Sequence, residues 1–128
     1  MVVFSNRRLG PATELLVSPD VAAAMLRATA EAARPAAEAR WEHELVRWLE
    51  DRAGRPSPRG GAAVLDVADI AWTPDHFDRQ RRFLLEAIEQ ASATSEHVRP
   101  LRLWARMIEA HPRDSVQFGR RWTWHPSL

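Results

Sequence analysis

The sequence predicts an α+β fold: about four helices packed on a small sheet of two or three short strands. An all-α bundle with an extended C-terminal tail is the alternative. Three observations lead there. Two segments share one helix start, Ser18-Pro19-Asp20 and Thr73-Pro74-Asp75. Apolar residues recur at helical spacing in four stretches, and short apolar runs or alternations near Met1, Val64 and Trp122 have the character of strands. The length of 128 residues suits a single globular domain, residues 1–128, with one hydrophobic core.

Met1 to Ser5 reads as a strand. At Ser18 a hydroxyl is placed to cap a free helix amide. Pro19 takes the first helical position, where no donor is lost, and Asp20 meets the positive end of the helix dipole. The helix that follows carries Val21, Ala24, Met25, Ala28 and Ala32 on one face and must bend or stop near Pro35. A second helix, about Pro35 to Ala53, has the cleanest period in the chain. Ala37, Trp41, Leu45, Trp48 and Leu49 form its stripe, with Glu38, Glu42, Arg47, Glu50 and Asp51 largely off it.

Gly54 supplies a stop, and Arg55-Pro56-Ser57-Pro58-Arg59-Gly60-Gly61 is too rich in helix and strand breakers to be anything but a loop. It reads as a mobile surface loop near residues 54–61 inside one domain, because neither half of the chain has enough apolar surface to fold alone. Val64, Leu65, Asp66 and Val67 then suggest a short strand within Ala62 to Ile70. A third helix, about Pro74 to Ala91, turns Phe77, Leu84, Ile88 and Ala91 to one side. A fourth, about Pro100 to Ala110, does the same with Leu101, Trp104, Ala105 and Ile108, and Pro112 sets its end. Ser115 to Trp124 reads as a terminal strand, Trp122 and Trp124 pointing one way and Arg121 and Thr123 the other.

Composition narrows the chemistry. All 18 basic residues apart from histidine are arginines, Tyr and Cys are absent, and Asn6 is the one asparagine, a pattern that GC-rich coding produces. Without lysine there is no Schiff-base catalysis and no P-loop lysine; without cysteine there is no thiol nucleophile. The 45% apolar and 27% charged content is that of an ordinary soluble protein, and the net charge of +1 gives no global attraction to nucleic acid or an anionic membrane. No apolar run is long enough to span a bilayer, and Gly10-Pro11, Glu14 and Asp20 interrupt what would follow Arg7-Arg8 in a twin-arginine signal. A cytoplasmic location is the expectation.

Two acidic groups carry the side chains that chemistry would need. Asp66, Asp69, Asp75 and Asp78 surround His76 at the strand-to-helix junction, and such groups act as hard-metal ligands or acid and base when they converge. They have no diagnostic ligand spacing, and Asp75 and Asp78 are explained by a helix start. Glu38 and Glu42 share a helix face, but Glu42 and His43 point about 100° apart and the Glu-x-x-His of bundle metal sites is missing. No Gly-x-Ser-x-Gly elbow or nucleotide-binding glycine loop occurs, and the histidines at 43, 76, 97, 111 and 125 are scattered. No catalytic residue, metal or cofactor is assigned from the sequence.

The most unusual segment is Phe118-Gly119-Arg120-Arg121-Trp122-Thr123-Trp124-His125-Pro126. Trp and Arg are the types most enriched in interface hot spots, so Arg120, Arg121, Trp122 and Trp124 are the candidate partner-binding residues. The ordinary alternative is a terminal strand whose tryptophans close the core. The expectation is therefore a small protein that binds another protein or itself, as an adaptor, inhibitor or immunity-type protein does. The rivals are a small metal-dependent or acid/base enzyme using the Asp66 to Asp78 group, and a nucleic-acid accessory protein, which the near-neutral charge disfavours.

Overall fold

The computed structural model of the chain describes residues 1–6, 14–55, 63–66, 69–71 and 73–109. Three strands, β1 (Val2–Ser5), β2 (Glu14–Val17) and β3 (Ala63–Asp66), form a mixed sheet in the order β2-β1-β3. β1 pairs antiparallel with β2 and parallel with β3. The described residues also form four α-helices: α1 (Pro19–Ala33), α2 (Arg40–Gly54), α3 (Pro74–Gln90) and α4 (Val98–Glu109). The α+β architecture expected from the sequence is the one found.

One strand, β2, was not among those expected. β2 was not legible, because Glu14-Leu15-Leu16-Val17 is a short run without alternation, squeezed before the Ser18 cap. The expected terminal strand at Ser115 to Trp124 lies outside the described residues, as does nearly all of the expected loop at 54–61; Gly54 itself is the last residue of α2.

Strand register separates two faces of the sheet, since successive side chains alternate. Val2 lies opposite Val17 and Ala63, and Phe4 opposite Leu15 and Leu65. Val2, Phe4 and Leu15 are fully buried and belong to the core beneath the helices. The row between them, Leu16–Val3–Val64, is on the other face. Leu16 and Val3 are half-buried, and Val64 is 44% exposed.

Both shared helix starts form as expected. The Val21 amide donates to Ser18 Oγ at 3.3 Å, and the His76 amide to Thr73 Oγ1 at 3.2 Å. α1 is the packing centre of the helical layer, touching α2, α3 and α4. It buries Ala22, Met25, Leu26, Thr29, Ala30, Ala32 and Ala33, a wider face than its stripe alone suggests. Pro35 ends it as expected, through a 3-10 turn at Arg34–Ala36 and an extended Ala37, so α2 starts at Arg40 and not at Pro35.

In α2, Leu45 and Leu49 are fully buried, but Trp48 is only half-buried and packs against the edge of the core with the Arg52 guanidinium 5.9 Å from its ring centre. Glu42, which the period places off the buried stripe, is 6% exposed. The reason is half local and half tertiary: its carboxylate is held by two donors, one from the cap of α2 and one from α3.

Candidate functional site

Those two donors define a cleft. Glu42 Oε1 accepts the Ala39 amide at 3.0 Å, closing the first turn of α2, and Arg79 Nη1 from α3 at 2.6 Å. One residue earlier, the Trp41 indole stacks on the His76 imidazole, with ring centres 4.2 Å apart and planes 3° from parallel. Trp41 Nε1 also donates to the Ile70 carbonyl at 2.7 Å, tying α2 to the segment that leads from β3 into α3. The ends of α2 and α3 thus meet through an ion pair, a ring stack and a hydrogen bond. Between them is a cleft of about 200 Å³, lined by Ala39, Trp41, Thr73, Asp75, His76 and Arg79.

Local sequence explains how each group arrives there. Thr73 caps α3, so Asp75 and His76 fall in its first turn, and Arg79 follows one turn later on the same side. Partial burial holds the His76 imidazole below the usual histidine range; the nearby Arg79 cation acts in the same direction and Asp75 opposes both. A neutral imidazole beside a carboxylate in a concave site is an acid/base pair in form. Arg79 supplies a cation, fixed at one end by Glu42.

The acidic group read from the sequence divides. Asp75 and His76 line the cleft, while Asp78 is exposed. Asp66 is 4% exposed at the end of β3, where Ser5 Oγ donates to its Oδ2 at 3.0 Å. Asp69 is exposed, and its Oδ2 accepts the Asp66 amide at 3.4 Å. From the other group, Glu42 joins Arg79, whereas Glu38 and His43 are exposed. Among the described residues, no three His, Asp or Glu side chains converge in a way that holds a metal ion. Arg120, Arg121, Trp122 and Trp124 lie outside the described residues, as do His111 and His125.

Sequence reasoning passed over Trp41 and Arg79 as site residues. Trp41 read as core and Arg79 lies off the apolar face of its helix, and the contacts that redefine them span 35 and 37 positions, beyond any local pattern. A second hollow, about 320 Å³ between α1 and α3, is lined by the alanine faces of both helices together with Arg27, Glu31, Gln90 and His97. By fold and site the described residues form a small α+β fold with a mixed three-stranded sheet, four helices and an aromatic cleft at the start of two of them. No protein-family model matches the chain, and neither the curated proteins nor the solved structures contain a match. Among the described residues, no helix is long and apolar enough to cross a membrane.

Proposed function

We propose that this chain acts by binding another protein, as an adaptor, an inhibitor or an immunity-type protein does. The observation that carries the reading is the Leu16–Val3–Val64 row. A sheet covered by helices on one side normally turns polar residues to water on the other, and an apolar outer row marks a surface that gains from being covered. The acid/base alternative draws less support, because only Asp75 and His76 of the proposed acidic group reach the cleft.

The partner in this reading is a different protein, with a second copy as the alternative. A stable interface uses about 20 to 30 residues a side, far more than the three side chains of this row, so further residues must extend the contact with either partner. The β3 edge of the sheet offers little. The Ala63 amide donates to the Met1 carbonyl at 3.3 Å, so alternation turns the backbone groups of Val64 outward; the next outward amide, Asp66, is taken by Asp69. Arg120, Arg121, Trp122 and Trp124 are the remaining candidates to extend the contact. Their chemistry matches a partner with an apolar strip bordered by carboxylates.

The test compares the wild type with Val64→Arg and Arg121→Ala, using a purified, identified partner. Both variants are expected to weaken binding at least about tenfold, equivalent to about 1.4 kcal/mol, with melting temperatures unchanged. Undiminished binding by both variants would refute the reading. Sedimentation equilibrium of the wild type alone checks the choice of partner: a dimer dissociated by Val64→Arg would replace the foreign protein with a second copy.

A further inference from the structure

At the carboxyl ends of the two parallel strands the interior is polar. Ser5, Asn6 and Asp66 are 4%, 0% and 4% exposed, and Ser5 is bonded to Asp66. Asn6 uses only half its amide among the described residues: Nδ2 donates to the Met107 carbonyl of α4 at 2.9 Å, while Oδ1 is buried with no hydrogen-bond partner there. On α4, Trp104 is 1% exposed and packs its ring 4.7 Å from that of Phe4, yet its indole Nε1 donor has no partner among the described residues. On α3, Gln80 is 0% exposed, and neither its Nε2 nor its Oε1 has a partner among them.

Topology brings these groups to one level of the molecule. α3 follows β3 in the chain and packs against α4 and α1. α4, packed against α3 after a short connection, reaches the carboxyl end of β1, where Met107 receives Asn6. The first turns of α3, with Gln80, therefore lie beside the last turns of α4, with Trp104 and Met107. In sheets with parallel strands this carboxyl end is where ligands are usually received.

We propose that Asn6, Gln80 and Trp104 form an internal binding site for a neutral guest that both donates and accepts hydrogen bonds. The orphan atoms are two donors, Gln80 Nε2 and Trp104 Nε1, and two acceptors, Gln80 Oε1 and Asn6 Oδ1. None of these four atoms belongs to an ionised group, so an ion would be poorly received, whereas a group with complementary donors and acceptors satisfies all of them. Ordered water has that chemistry, and so does the amide-like edge of a small solute. Burying such atoms without a guest is costly, while apolar side chains of the same shape would avoid the cost.

The wild-type protein tests the proposal directly. In proton NMR the Trp104 indole N–H, identified by its loss in Trp104→Phe, should show a magnetisation-transfer contact to a bound guest. Native mass spectrometry separates the sources: an adduct of defined mass shows a small solute, and a contact to long-lived water without an adduct shows water. Gln80→Met keeps the volume and removes the amide. It is expected to lower the melting temperature, because it removes half of the guest's partners. An indole N–H with no guest contact would overturn the proposal, as would a higher melting temperature in Gln80→Met, the mark of an amide buried at a net cost.

Discussion

The two helix starts begin from nearly the same words and end in different places. Ser18-Pro19-Asp20 and Thr73-Pro74-Asp75 each cap a helix with a hydroxyl, as local sequence requires. At the first, Asp20 is exposed and the hydroxyl cap launches α1. At the second, the same turn carries His76 onto Trp41, and Arg79 follows onto Glu42. Local code decides that a helix begins. What the beginning is used for depends on what begins beside it, and the start of α3 meets the start of α2.

The largest expected effect tests that dependence. Trp41→Ala removes a half-buried aromatic and its bond to the Ile70 carbonyl, and should destabilise the protein by about 2 to 3 kcal/mol in urea unfolding. A loss under about 0.5 kcal/mol would make the second start as plain as the first. Next come the caps. Ser18→Ala and Thr73→Ala should each cost about 1 kcal/mol, with Thr73→Ala the greater because it also loosens the turn that holds His76. Equal losses would mean that the cleft adds nothing to the cap.

Acidification should distinguish the two starts without a magnitude having to be assigned. The folded-state pKa of His76 lies below its ordinary value of 6.5, so the unfolded chain binds the proton more readily. The stability that neutral His76 contributes is complete above about pH 6.5 and is lost as the pH falls from there through the lower folded-state value. Melting curves of the wild type and His76→Gln should therefore diverge in that window and run parallel below it. The smallest effect is at the acids themselves. Asp20→Asn should cost about 0.3 to 1 kcal/mol through the helix dipole alone. Asp75→Asn should in addition move the NMR titration of His76 further down, since Asp75 is the group that raises it.

Much of the fold was readable because it is written locally. Proline and hydroxyl pairs mark where α1 and α3 begin, and the Leu45 and Leu49 spacing gives the buried face of α2. β2 was not readable, since four residues give too little pattern. The burial of Glu42, Gln80 and Asn6 was missed for a different reason: a buried polar residue looks like a solvated one until its distant neighbours are known. The cleft was half legible. Asp75 and His76 were marked by residue type, but Trp41 and Arg79 gain their roles from contacts between separate helices.

The central position of β1 sets the order in which the molecule can be built. Its antiparallel partner, β2, is close behind it in the chain, but its parallel partner ends at Asp66, 61 residues beyond Ser5. On a ribosome, the β1–β2 pair and the α1–α2 pair have their sequences complete while the middle strand still has one side unpaired. Closing that side means closing a long loop, an entropic step that slows folding and that nothing in the first half of the chain can hasten. Until β3 emerges, a nascent chain exposes the edge of its own central strand, and this interval is when a chaperone, or a neighbouring chain, has most to hold on to.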